Sequence, residues 1–168
     1  MSDWTPPLQV EIPPPMRQHP PKDLGYGEQA EFTMSVEDGL LLVHNQQDPA
    51  EQPDLRFERP LIAGQDEWGL HLSTGAQDHI VDVRLTVDQA APALQENWDK
   101  TETTSLLLNS EVLSVSTLYA HSFALWRLPS SGGWQVRLSR SGADRSRNLT
   151  STAAGPREQW LLEFWKDA

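Results

Sequence analysis

The sequence predicts an all-β protein: a β-sandwich of about eight to ten short antiparallel strands, with at most one short helix and a proline-rich N-terminal arm. Three observations predict it. From residue 31 onward, apolar residues recur at every second position, the period of a strand that buries one face. Turn-forming residues interrupt these runs at short intervals, at Asp38-Gly39, Thr74-Gly75, Asn109-Ser110 and Ser130 to Gly133. Seven tryptophans in 168 residues are more than one small domain leaves on its surface, so several belong to broad core faces. The length fits one domain, since domains commonly run to about 100–150 residues. The chain divides into an arm over residues 1–30 and a single β-sandwich domain over 31–168.

Each element follows from local pattern. In the arm, Pro6, Pro7, Pro13, Pro14, Pro15, Pro20 and Pro21 exclude helix and favour extended structure. Leu8, Val10 and Ile12 alternate between them as a short edge strand would. Phe32, Met34 and Val36 form the first strand of the domain. Asp38-Gly39 then turns the chain into Leu40 to His44, which reads as a hairpin. Residues 45–54 are a polar loop, and Leu55 and Phe57 begin a strand that ends at Pro60. Trp68, Leu70 and Leu72 alternate next. Ile80, Val81, Val83, Leu85 and Val87 give the clearest strand, with Asp82, Arg84, Thr86 and Asp88 facing the other way. Residues 89–102 are the best helix candidate, with Pro92 in a first turn and Leu94 and Trp98 at helical spacing, or else a long loop. Strands follow at 106–108 and 112–118, around an Asn109-Ser110 turn. Phe123 to Leu128 and Trp134 to Leu138 read as a hairpin across a glycine-rich loop. The last run, Gln159 to Trp165, puts Trp160, Leu162 and Phe164 on one face and Leu161 and Trp165 on the other.

Composition narrows the class of function. No cysteine is present, which removes disulfides and thiolate zinc sites. The first ten residues lack the basic and apolar regions of a signal peptide, and no apolar run reaches the ~20 residues of a membrane helix. Both point to a cytoplasmic protein. Residues 1–102 hold 19 acidic against 6 basic side chains, whereas residues 103–168 hold 5 against 7. A net charge of −11 repels nucleic acid and anionic membranes and suits a basic protein partner.

A search for chemistry returns little. His19, His44, His71, His79 and His121 show no close metal-ligand spacing, although ligands can gather from separate strands. No Gly-x-Ser-x-Gly elbow, phosphate loop or dinucleotide fingerprint occurs. The adjacent carboxylates Glu37-Asp38 and Asp66-Glu67 fall at turns, where solvated charge is the ordinary reading. Arg137, Arg140, Arg145 and Arg147 are the one basic cluster. It suits phosphate, or single-stranded nucleic acid beside Trp126 and Trp134, but pairing with acidic strands of the same molecule is the commoner role. We expect no catalytic residue, no metal site and no cofactor.

The order of features in the C-terminal half resembles a known family, and by pattern the likeness covers about two-thirds of the chain. The strand Ile80 to Val87 is followed by a loop and Val112-Leu-Ser-Val-Ser116. Then comes Phe123-Ala-Leu-Trp-Arg-Leu-Pro-Ser-Ser-Gly-Gly-Trp-Gln-Val-Arg-Leu138. This is similar to the competence protein J family, short β-rich inhibitors of a DNA-entry nuclease that carry a Leu-Pro-x-Gly-x-aromatic segment. Trp4-x-Pro6 and the Leu40–His44 strand fall in the same order. The arm and residues 141–156 are additions, and no inhibitory residue carries over position by position. The resemblance implies a β-rich protein that binds and blocks a basic enzyme.

The leading expectation is therefore a non-catalytic acidic β-sandwich that binds another protein, as inhibitor or immunity protein of a basic nuclease or toxin. The candidate partner surface is Asp66, Glu67, Trp68 and Asp78, acidic residues beside an aromatic anchor. The alternative is a small-molecule or carbohydrate-binding sandwich with Trp126 and Trp134 as a stacking platform. A further alternative is a metal-dependent enzyme with scattered His and Asp ligands.

Overall fold

A computed structural model of the chain describes residues 22–26, 29–36, 39–45, 61–66, 69–75, 79–117, 123–142 and 157–166. Within them are eleven strands and no helix: β1 (Lys22–Tyr26), β2 (Gln29–Val36), β3 (Leu40–Asn45), β4 (Ile62–Asp66), β5 (Gly69–Ser73), β6 (His79–Asp88), β7 (Lys100–Leu108), β8 (Val112–Thr117), β9 (Phe123–Arg127), β10 (Gly132–Ser141) and β11 (Glu158–Trp165). They form a six-stranded sheet, β1-β9-β8-β3-β5-β4, and a five-stranded sheet, β2-β6-β11-β10-β7. The two pack as a sandwich. The all-β class is as the sequence predicts. The strand at 55–57 and the Leu8–Ile12 alternation lie outside the described residues.

The core is built from alternate residues of both sheets. Phe32, Met34 and Val36 of β2 are buried while their neighbours are exposed. Val81, Val83 and Leu85 of β6, Val136 and Leu138 of β10, and Trp160, Leu162 and Phe164 of β11 complete the inner face of the five-stranded sheet. Leu41, Val43, Leu70, Leu72, Leu113, Val115 and Trp126 meet them from the other sheet. Trp126 touches Phe164 edge-on, with ring centroids 5.8 Å apart. Burying each such side chain favours the fold by about 1.5–3 kcal/mol. The run Leu40-Leu-Leu-Val43 is buried on both faces. Leu41 and Val43 enter the core, while Leu40 and Leu42 form a second cluster with Ala63. Gly69 is forced by close approach: it pairs with His44, and a Cβ there would collide with the Val43 carbonyl and the His44 backbone.

Several expectations need correction. The hairpins read at 32–44 and 123–138 are not hairpins, and the strands read on either side of the Asn109-Ser110 turn do not pair with each other either. In each, the first strand lies in one sheet and the second in the other: β2 and β3, β7 and β8, β9 and β10. The short connections cross the sandwich, as at Gly39, whose φ of 71° belongs to the left-handed region. The sheets are also not wholly antiparallel. β11 inserts between β10 and β6, antiparallel to the first and parallel to the second, and β1 runs parallel to β9.

The 89–102 helix does not form. Residues 89–99 are irregular, and β7 begins at Lys100. The carbonyls of Pro92 and Ala93, which helix amides would need four residues on, accept instead from the Arg137 guanidinium at 2.9 and 3.1 Å. Strand β4 was not expected, since Ile62-Ala-Gly-Gln-Asp66 shows no alternation.

Candidate functional site

Of the four predicted partner-binding residues, the structure describes only the backbone of Asp66. Glu67, Trp68 and Asp78 lie outside the described residues. Asp66 ends β4, the edge strand of the six-stranded sheet, where it pairs with Gly69. This edge lies against β7, the edge of the other sheet, and polar side chains join the two. The Gln65 amide donates to the Ser105 carbonyl at 2.7 Å and accepts from the Thr104 hydroxyl at 3.1 Å. The Leu61 amide donates to Glu102 at 2.9 Å. Farther along, Asn45 donates to the Leu107 carbonyl at 3.2 Å and accepts from the Asn109 amide at 2.7 Å. Side-chain amides thus occupy backbone carbonyls that an edge strand would otherwise offer to another chain.

Leu107 stands beside these contacts and is 64% exposed. Asp66 follows Gln65, whose amide reaches Ser105, so an acidic residue and an exposed leucine share one end of this seam. Sequence reasoning missed Leu107, although a signal was present. Three consecutive leucines in a strand cannot share a face, so with Leu106 and Leu108 buried the middle one faces outward.

The arginine cluster is structural where it is described. Arg137 and Arg140 lie on opposite faces of β10. Arg137 donates through Nε to Glu163 at 2.6 Å, with both side chains buried, and its guanidinium carbon lies 5.9 Å from the Trp165 ring centroid. Arg140 pairs with Glu158 at 3.7 Å, donates to the Ser73 carbonyl at 2.8 Å and lies over Trp160. Glu158 also accepts from the Gly75 amide at 2.8 Å. The pairing with acidic strands of the same molecule is what the structure shows. Arg145 and Arg147 are outside the described residues.

The stacking platform of Trp126 and Trp134 is overturned. They are 0% and 3% exposed, because both point into the core. Trp134 donates its indole N–H to the Ser130 carbonyl at 3.2 Å, and Lys166 lies over its ring.

Among the described residues, no three His, Asp or Glu side chains gather as a metal site. His71 is buried. His44 Nδ1 lies 2.7 Å from the Asn45 carbonyl, which can only accept, so that nitrogen carries the proton. Nε2 lies 3.0 Å from the Ser116 hydroxyl, within hydrogen-bond reach. This is the order of groups in an activated serine. Ser116 is only 2% exposed, however, so the bond satisfies two polar groups within the sheet. No helix among the described residues is long and apolar enough to cross a membrane.

No protein-family model matches the chain, and no curated protein matches it in sequence. Solved structures do match in fold. One is ComJ from Bacillus subtilis, an inhibitor of the DNA-degrading activity of NucA. It superposes with a TM-score of 0.58 at 11% identity, covering 82% of this chain and 96% of ComJ. This chain has the fold of ComJ. The ComJ-like resemblance read in the order of strands is thus borne out in three dimensions. A second match, described as crocagin biosynthetic gene J, has a TM-score of 0.59 at 16% identity and covers 84% of this chain and 98% of its own. At such identities the likeness establishes the fold alone.

Proposed function

We propose that this chain is a non-catalytic binding protein that blocks a basic protein partner, a nuclease or toxin, inside the cell. The observation that carries the reading is the ComJ-like fold, which extends over nearly all of that nuclease inhibitor. Charge supports it: the chain carries −11, and Arg137 and Arg140 are spent on internal glutamates, leaving them unavailable to anions outside. The contact surface is the end of the β4–β7 seam. There Asp66 supplies acidity, Glu67 and Trp68 follow it in the chain as further acidity and an aromatic anchor, and Leu107 adds exposed apolar area. Asp78 directly precedes β6, whose first residue His79 pairs with Val36 at the other end of β5, and is left out of this surface. Acidic groups around a small apolar centre steer a basic partner and then hold it.

Affinity capture from a lysate of the source cells, followed by mass spectrometry, tests this reading. A single basic protein is retained at low salt and released near ~0.5 M, where exposed charge pairs are screened. Asp66→Lys and Leu107→Ser each reduce its capture. Retention of no protein, or of one indifferent to both salt and Asp66→Lys, overturns the proposed surface.

A further inference from the structure

The outer face of the five-stranded sheet is not uniform. Over β10 and β11 it is covered by residues 89–99, tied down by Arg137 at Pro92 and Ala93 and by the Asp99 amide, which donates to the Arg140 carbonyl at 3.0 Å. Over β2 and β6 it is open. Between the two lies a depression of about 500 Å³, within the range of small-molecule sites. Trp98 forms one wall, and Glu31, Thr33, Asp82, Arg84 and Gln159 supply the polar lining. Trp98 sits between the two anchored ends of its segment, so its ring is held in place without being buried.

The lining carries Glu31, Asp82 and Arg84, and Arg157, outside the lining, balances it through its pair with Asp82. Arg84 donates to Glu31 at 2.6 Å, Arg157 to Asp82 at 3.4 Å, and the Thr33 hydroxyl to Asp82 at 3.0 Å. On a molecule of charge −11, this is a neutral array of alternating donors and acceptors beside a partly exposed indole. Two carboxylates oppose a phosphate, and two guanidinium groups oppose a cation. A carboxylate has about four acceptor positions, so ion pairing leaves sites for hydroxyl donors. What fits is a neutral, hydroxyl-rich ring with one apolar face, which stacks on the aromatic wall while its hydroxyls bond the polar floor.

We propose that the depression walled by Trp98 and floored by Thr33, Asp82, Arg84 and Gln159 is a binding site for a neutral saccharide. It lies on the outer face of the five-stranded sheet and does not depend on the protein-partner reading. The test is a titration of the intact protein with maltose, cellobiose, lactose and N,N′-diacetylchitobiose. The readout is the indole N–H signal of Trp98, assigned by its loss in Trp98→Phe. At least one disaccharide moves that signal saturably, with a Kd of about 1 mM. In ligand-observed saturation transfer, Trp98→Ala abolishes binding. Gln159→Ala, an exposed change that leaves the core intact, weakens it about threefold to tenfold. If no sugar moves the Trp98 signal, the proposal is overturned. It is equally overturned if binding survives both variants, or if the signal responds only to a captured protein.

Discussion

Arg137 and Arg140 lie three residues apart on β10, and each is buried against a glutamate of β11, yet they hold different parts of the molecule. Arg137 points outward and fastens the irregular 89–99 segment through two backbone carbonyls. Arg140 points inward at the end of the core, where with Glu158 it fastens the Ser73–Gly75 end of β5 in the opposite sheet. The odd spacing on a strand sends the two to opposite faces. One side chain therefore positions a surface feature and the other joins the sheets. Clustered arginine in the sequence looks alike in both places; burial and partner distinguish them.

The comparison can be broken from either side. Glu158→Ala has the largest expected effect, about 3–5 kcal/mol of stability, because it leaves the Arg140 guanidinium buried without a carboxylate and removes the acceptor of the Gly75 amide. Denaturant unfolding measures it, and amide exchange rises at residues 73–75. Glu163→Ala costs less, about 2–3 kcal/mol, since Arg137 keeps two carbonyl acceptors and the face of Trp165. Its exchange signature appears at residues 92–99 and not at 73–75. Replacing the outer pair together, Arg137→Met with Glu163→Leu, changes stability by about 1 kcal/mol or less, because an apolar pair avoids desolvating two charges. The same double change still loosens residues 92–99, which lose both donors. The smallest effect belongs to Arg84→Ala. Its pair with Glu31 is more than half exposed on both sides, and the loss stays below about 0.5 kcal/mol.

The sequence made the core legible but left the topology hidden. Phe32, Met34 and Val36, and Trp160, Leu162 and Phe164, fall on the faces their alternation predicts. The same alternation does not say which sheet a strand joins. In a sandwich both sheets face one core, so a tight turn followed by a strand of the same pattern fits a hairpin and a crossing equally well. That is why β2–β3 and β9–β10 read as hairpins. The parallel insertion of β11 beside β6 is a long-range pairing with no local signature. Residues 89–99 carried helical spacing, but distant Arg137 competes for their carbonyls. At the candidate partner surface, Asp66 was read from acidity near a turn, and Leu107 was overlooked within its leucine run. Trp126 and Trp134 were open to two readings until the face of each strand was known.

The proposed inhibitor role is tested most directly by the degradation of linear duplex DNA in an extract of the cells that make the protein, titrated with the purified chain. The account predicts that the rate falls to a plateau once the chain matches its target in amount. It also predicts that added salt weakens the block and that more Asp66→Lys protein is needed for the same effect. A rate unchanged at every concentration would contradict the nuclease-inhibitor reading.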